Sequence, residues 1–156
     1  LGEDHKLETH LIPLVLREAL FPENRLKIFG ADYPTKDGSC VRDYIHVLDL
    51  ASAHLQALRY LENGGGTDCF NLGTGTGSSV IDVIDAAREV TGLDIKYEKA
   101  GRREGDPPTL VASAEKAKAV LGWTPGCSDL RTIISHAWTW HKLHPQGYQD
   151  RQEARI

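Results

Sequence analysis

The stretch at residues 69–92 constrains the fold more than any other part of the sequence. Its apolar start, CFNL, predicts a short strand, and the GTGTGS run that follows predicts a tight turn. Ser79 and Asp82 then have the spacing of a capping box, which predicts that a helix begins there. We expect that helix to bury a stripe of apolar residues, namely Val80, Val83, Ile84, Ala87 and Val90. A strand, a turn and a capped helix in direct succession indicate a domain that mixes α and β elements.

The rest of the chain alternates between the same two kinds of element. Apolar residues at helical spacing predict a helix capped by Thr9, a second capped by Asp49, a short one capped by Ser113, and a last one from about Ser128 past Trp140. Alternating polar and apolar residues predict strands at 25–29, 40–47 and 93–97. Turn-forming and charged residues predict loops at 31–39 and 102–108. The fold class is therefore α/β or α+β.

Composition excludes several classes of protein. The 156 residues carry a net charge of −4, with 40% hydrophobic and 26% charged residues, which is ordinary for a globular domain. The mild acidity argues against a sequence-independent nucleic-acid binder, and no apolar run approaches the ~20 residues of a membrane span. The three scattered cysteines indicate reduced thiols and a cytoplasmic protein. Because the chain lacks methionine and starts at Leu1, we expect it to be part of a longer polypeptide.

The glycine-rich turn has two interpretations. Gly73-x-Gly75-x-x-Ser78 is similar to the dinucleotide-binding fingerprint, in which a diphosphate binds at the N-terminus of the following helix. However, Ser78 stands where a third glycine belongs, and the acidic residue about 20 positions on would be Asp94, at the wrong end of the next predicted strand. A free-standing dinucleotide-binding module using 73–77 and a purely structural turn both stay open at this point.

Positive charge next to turn residues offers another anion site. Arg102 and Arg103 are adjacent in a loop that contains glycine, and guanidinium groups bind phosphate oxygens in a bidentate manner. The alternative is a solvated charged loop. Arg42 stands in an otherwise apolar predicted strand and therefore needs an anion or solvent as its partner. Asp43 points to the opposite face of that strand, so we do not expect it to take part.

The histidines and cysteines predict no metal site. His136 and His141 are about 140° apart around a helix and therefore do not share one face. Cys40, His46 and His54 do not have zinc-finger spacing.

Eight motifs in the chain occur together in one known family. They are ETHLIP (8–13), IFGxDYxTxDG (28–38), VRDYIHVxDLA (41–51), NLGTGxGxSV (71–80), RREGD (102–106), LGW (121–123), WxW (138–140) and HPxGY (144–148). In these motifs the chain resembles the UDP-glucose 4-epimerases, which are extended short-chain dehydrogenases/reductases. The resemblance implies an α/β chain, namely an α+β-like substrate domain with elements that would complete a Rossmann sheet.

The resemblance covers only the C-terminal half of that family. It implies a UDP-sugar-binding region at 1–149, a frayed tail at 150–156, and an N-terminal Rossmann domain, which binds NAD, outside this chain. The catalytic Tyr-x-x-x-Lys pair is absent, because none of the five tyrosines is followed four places later by lysine. The resemblance thus implies an NAD-dependent isomerase that interconverts UDP-glucose and UDP-galactose as a homodimer, while this chain alone is expected to be inactive and to bind no NAD. It also implies that the turn at 73–77 is not the NAD-binding one.

The resemblance also assigns the residues that contact the nucleotide. Arg42 and Arg103 match the arginines that bind the diphosphate, in agreement with the charge argument above. Asp106 matches the ribose contact. Lys27 and Phe29 match a segment whose backbone meets the edge of uracil.

Three more residues match the sugar-facing part of the family's site. His10 and Leu11 stand at the start of the helix that faces the substrate. Leu110 stands at the position that controls whether N-acetylated sugars enter. Leucine is intermediate in size there, so acceptance of UDP-N-acetyl sugars stays open.

Overall fold

A computed structural model describes residues 2–5, 7–22 and 26–148, and it confirms the predicted mixture of helices and strands. The helices are α1 (Leu11–Leu20), α2 (Val47–Glu62), α3 (Val80–Thr91), α4 (Glu115–Leu121) and α5 (Leu130–Leu143). The strands are β1 (Leu26–Phe29), β2 (Val41–Arg42), β3 (Ser78–Ser79), β4 (Tyr97–Ala100) and β5 (Thr109–Leu110). None of these helices is both long and apolar enough to cross a bilayer.

The strands form two small sheets. β1 pairs with β4 in parallel, with Leu26 opposite Tyr97. β2 lies between β3, to which it is antiparallel, and β5, to which it is parallel. The register places Arg42 opposite Ser78 on one side and Leu110 on the other. The loop at 101–108 and the turn at 73–77 therefore both lie close to β2.

The main hydrophobic core lies between α1, α3, α5 and the β1–β4 sheet. Its fully buried members share the inward faces of these elements and include Val15, Leu16, Ile28, Val83, Ile84, Ala87, Ile95 and Ile134. The predicted stripe of α3 is confirmed in this core, with Val80 and Val90 partly buried at its edge. Each large apolar side chain buried in this way contributes roughly 1.5–3 kcal/mol.

A second, smaller core lies under α2 and α4. Ala53, Ala117 and Trp123 are buried there, and the indole N–H of Trp123 donates to the backbone oxygen of Asp49 at 2.9 Å. The opposite face of α2 points outward and leaves Leu55, Leu58 and Leu61 each more than half exposed.

The ends of α3 confirm the sequence prediction. The Ser79 side chain accepts from the backbone N–H of Asp82, and the Asp82 side chain accepts from the backbone N–H of Ser79. Gly92 ends the helix with φ of 70°, a left-handed conformation that glycine adopts without steric cost.

Three other predicted caps are wrong. α1 is capped at His10 rather than Thr9, and α4 follows Ala114 rather than Ser113, in both cases without a side-chain cap. α2 begins two residues before Asp49, because the ring of His46 accepts from the backbone N–H of Leu48. At α2 the predicted cap is engaged elsewhere, because the carboxylate of Asp49 accepts from residues 126–128, whereas α1 and α4 begin without any side-chain cap.

The strand predictions were only partly correct. The strand predicted at 40–47 shortens to β2, and the one at 93–97 moves to β4. Residues 69–72 form no ladder with any described residue, so the strand predicted there is wrong for this chain. An apolar run becomes a strand only where a second backbone offers hydrogen-bonding groups. Arg25, the predicted start of β1, and the predicted tail at 150–156 lie outside the described residues.

Candidate functional site

A cavity of about 380 Å³ opens where α1, β1, β2 and the loop at 101–108 meet. This volume is within the usual range for small-molecule sites. Six of the eight predicted site residues line it, namely Leu11, Lys27, Phe29, Arg42, Arg103 and Asp106. β1 positions two of them by strand alternation, because Leu26 and Ile28 point into the core and leave Lys27 and Phe29 on the other face.

Arg42 is held in the cavity by contacts at both guanidinium nitrogens. Nη1 donates to the backbone oxygen of Val41 at 2.7 Å, and Nη2 pairs with a carboxylate oxygen of Asp106. The other oxygen of Asp106 accepts from the thiol of Cys40 at 3.7 Å. The side chains of Arg42 and Asp106 stay about one quarter exposed, so the pair is accessible from the cavity.

Arg102 and Arg103 are adjacent in the loop at 101–108, but their side chains contact different residues. The guanidinium carbon of Arg103 lies 3.9 Å from the centre of the Phe29 ring, a stacking contact that leaves its N–H edge available to an anion. Arg102 instead stacks on Tyr33 at 4.3 Å and donates from Nε to Asp32 at 2.8 Å. This hydrogen bond lowers the pKa of the Asp32 carboxyl. Only Arg103 is therefore directed to the cavity.

Glu18 lines the same cavity, although the sequence analysis did not select it. It is 1% exposed, and neither carboxyl oxygen has a hydrogen-bond partner among the described residues. Burial raises its pKa, and the nearby backbone N–H of Leu26 only partly opposes the shift. Tyr44, another lining residue, has its pKa raised to about 12 by burial and stays neutral. Glu18 could have been selected from the sequence, because it is an acidic residue on the apolar face of α1, four places after Leu14.

Asp43, which we did not expect to take part, organises the glycine-rich turn. Its carboxylate accepts from the backbone N–H of Thr74 at 3.0 Å, of Gly75 at 3.3 Å and of Ala112 at 3.2 Å. A Cβ on Gly73 would lie 2.7 Å from this carboxylate, so glycine is required there. The turn's N–H groups that would hold a diphosphate are thus bonded to the chain's own anion, which argues against the dinucleotide interpretation.

Comparison with known proteins agrees with this geometry. The sequence model of the NAD dependent epimerase/dehydratase family matches residues 1–73. The UDP-glucose 4-epimerase of Halalkalibacterium halodurans is 55% identical over 148 residues, which make up 95% of this chain and 44% of that protein. The chain is thus similar to UDP-glucose 4-epimerases over nearly its whole length, and the family model covers its first 73 residues.

Solved structures of epimerases share the fold of this chain. One UDP-glucose 4-epimerase structure has a TM-score of 0.91 and 55% identity, covering 95% of this chain and 45% of its own. The UDP-glucose 4-epimerase of Bifidobacterium longum in complex with NAD⁺ and UDP has a TM-score of 0.84 and 36% identity, covering 94% and 44%. The chain therefore spans a little less than half the length of these relatives.

Two predicted site residues lie outside the cavity lining. Leu110 is 61% exposed on β5, beside Arg42 in the neighbouring strand. His10 lies at the N-terminus of α1, with its Nδ1 atom 2.9 Å from carboxylate oxygens of both Glu3 and Glu8. Neither residue is thus brought to the cavity wall in this structure.

The contacts of His10 belong to a group of donors that the sequence analysis did not consider. Glu3, His5, Glu8 and His10 each offer one potential metal-ligand atom, and these atoms lie within 4.8 Å of one another. The group is largely exposed and its members pair with each other. The sequence analysis predicted no metal site in the chain, and this group of mutually paired side chains leaves that prediction untested.

Proposed function

We propose that this chain is the UDP-sugar-binding region of a UDP-glucose 4-epimerase, an NAD-dependent isomerase that interconverts UDP-glucose and UDP-galactose. One observation supports it most directly: Arg42 and Arg103, predicted as diphosphate ligands, line one cavity together with Asp106. Had their side chains faced different hollows, the proposal would have failed.

The charges of the cavity suit a nucleotide diphosphate. Two guanidinium groups match the approximately two negative charges of a diphosphate bridging a nucleoside and a sugar, and each charge-assisted hydrogen bond contributes ~1.5–3 kcal/mol. In this proposal Asp106 orients Arg42 and accepts from a ribose hydroxyl. The backbone of Lys27 and Phe29 binds the edge of uracil, and the ring of Phe29 keeps the Arg103 guanidinium in place.

Anchoring the nucleotide is a catalytic task of its own. NAD bound to the whole enzyme would supply the hydride chemistry at C4 of the sugar, namely removal from one face and return to the opposite face. Between these two events the sugar has to turn, so the diphosphate and base have to stay bound. Binding energy from these remote groups of the substrate is available for that purpose. Within this chain the turn at 73–77 does not fit NAD, because Asp43 occupies its N–H groups.

His10, Leu11 and Leu110 complete the proposal on the sugar side. Leu11 lines the cavity. In this proposal Leu110, which pairs with Arg42 in the sheet, restricts the size of a substituent on the sugar. His10 in its present position would have to release Glu3 and Glu8 before it contacts a ligand.

The first test measures the affinity of the chain for UDP by isothermal titration calorimetry. We expect Arg103→Ala to weaken UDP binding about 10- to 100-fold, because one charge-assisted contact is lost. Arg102→Ala is the matched control: it removes a neighbouring charge that is engaged with Asp32, and it should change the affinity less than about threefold. Equal effects of the two substitutions would show that only net charge matters, and the proposed site would be wrong.

A second measurement addresses catalysis by the chain itself. The purified chain is incubated with UDP-glucose and NAD, and UDP-galactose is sought by chromatography. Because the Tyr-x-x-x-Lys pair is absent from the sequence, we expect no product. Turnover would contradict the assignment of the catalytic residues to polypeptide outside this chain.

A further inference from the structure

Glu18 is the most unusual residue of the cavity lining. A carboxyl group on the buried face of α1, 1% exposed and without a hydrogen-bond partner among the described residues, is costly to keep. Leu14 and Leu11, one and two turns earlier on the same face of the helix, line the same cavity. Glu18 thus places a polar group at a position where the helix otherwise presents leucine.

The chemistry of this group depends on its protonation. An unpaired buried carboxylate is far less stable than a neutral carboxyl, and burial accordingly raises the pKa of Glu18. A neutral carboxyl group has one O–H donor and one C=O acceptor, whereas a carboxylate accepts only. In its neutral form, which burial favours, Glu18 is therefore a donor that lacks an acceptor among the described residues.

The cavity has two kinds of lining, and Glu18 belongs to the apolar one. Arg17, Lys27, Arg42, Arg103 and Asp106 supply its charged groups. Leu11, Leu14, Leu26 and Val80 supply an apolar surface next to the main core. A nucleotide bound with its diphosphate on the arginines has one flat, largely apolar part, the base, that suits this surface.

We propose that Glu18 is a specificity-determining residue that donates a hydrogen bond from its carboxyl group to a carbonyl oxygen of the pyrimidine base. This inference rests on the proposed function, because it requires a uridine nucleotide in the cavity. A base carbonyl that leaves water for an apolar surface needs a donor, and Glu18 supplies it where the leucines cannot.

The experiment compares two ligands and two substitutions. Calorimetry measures the binding of UDP and of inorganic diphosphate, which has no base, to the wild-type chain, Glu18→Leu and Glu18→Gln. Glu18→Leu should weaken UDP binding about tenfold and leave diphosphate binding unchanged, because only the base loses its donor. Glu18→Gln should bind UDP within about threefold of the wild type, because the amide N–H replaces the carboxyl O–H. Circular dichroism verifies that both variants are folded.

The outcomes separate the two proposals. If UDP binds and Arg103→Ala weakens it, but Glu18→Leu does not, the role of Glu18 is wrong and the proposed function stands. If Glu18→Leu weakens UDP and diphosphate equally, or Glu18→Gln fails to restore UDP binding, the residue only shapes the cavity and the inference is again overturned. If the wild-type chain does not bind UDP, the proposed function fails and the inference fails with it.

Discussion

Two buried carboxyl groups in this chain have opposite surroundings. Asp49, at the start of α2, is 5% exposed and accepts from the backbone N–H groups of Gly126 and Cys127 and from the hydroxyl of Ser128. Glu18, on α1, is 1% exposed, and neither of its oxygens has a hydrogen-bond partner among the described residues; the nearby backbone N–H of Leu26 opposes the effect of burial only in part. Burial alone raises the pKa of both groups, but the hydrogen bonds of Asp49 outweigh it and lower the pKa of that residue.

The comparison shows that burial does not determine whether an acid is charged; the donors around it do. The donors of Asp49 lie in the loop at 126–128, which precedes α5. The charged carboxylate therefore connects the start of α2 to the segment that leads into α5. Glu18 adjoins a cavity and lacks comparable donors, so burial raises its pKa. The carboxylate of Asp49 therefore stabilises the fold, whereas Glu18 is the residue for which we propose a role in ligand binding.

The largest effect is expected at Asp49. Asp49→Ala leaves two backbone N–H groups and one hydroxyl unsatisfied in the interior, and it should lower the free energy of unfolding by about 3 kcal/mol. Urea denaturation followed by fluorescence measures it. Asp85→Ala, at an exposed position on α3, is the matched control and should have almost no effect. If the two aspartates proved equivalent, the donors around Asp49 would not be stabilising the fold.

A smaller loss is expected at Asp43, which has donors but is only partly buried. Asp43→Ala removes the acceptor of the N–H groups of Thr74, Gly75 and Ala112, and it should lower the free energy of unfolding by about 2 kcal/mol. Hydrogen exchange of these three amides should become faster, while exposed Asp94→Ala serves as a control. Unchanged exchange would mean that the turn keeps its shape without Asp43.

The smallest expected effect is on how the free energy of unfolding changes with pH. The two buried acids change it in opposite directions. The pKa of Glu18 is raised in the folded state above its ordinary value of 4.5, so stability falls as the pH rises from 4.5 through the raised value. Glu18→Gln removes this fall and should be the more stable protein at neutral pH. The lowered pKa of Asp49 gives stability that is present above 3.8 and lost as the pH falls through the lowered value.

Urea denaturation at a series of pH values measures both slopes. Parallel stability curves for the wild type and Glu18→Gln would show that Glu18 is charged in the folded state. That result would contradict the contrast between Glu18 and Asp49. It would also contradict the proposed hydrogen bond from the carboxyl group of Glu18 to the pyrimidine base.

Features set by neighbouring residues could be predicted from the sequence. The capping box of Ser79 and Asp82 depends on residues three places apart, and it is confirmed. The family motifs also selected Arg42, Arg103 and Asp106, which the fold brings to one cavity from distant parts of the chain. The family resemblance thus indicated which distant residues share a site, whereas residue spacing along the chain does not.

Features set by distant residues could not be predicted in the same way. Asp49 has the residue type of a helix cap, but its partners lie about 80 positions away. The apolar run at 69–72 has the pattern of a strand but meets no described partner backbone. Glu18 was detectable as an acid on an apolar face, whereas its lack of donors depends on how β1 and β2 pack nearby.

The adjacent residues Arg42 and Asp43 point in opposite directions from one peptide unit. The side chain of Arg42 lines the cavity. The carboxylate of Asp43 instead accepts hydrogen bonds from the turn at 73–77, which does not line the cavity. A change in the turn that displaces Asp43 is therefore transmitted to the guanidinium beside it. We therefore expect substitutions in the segment 73–77 to alter the cavity wall, although the segment does not line that cavity.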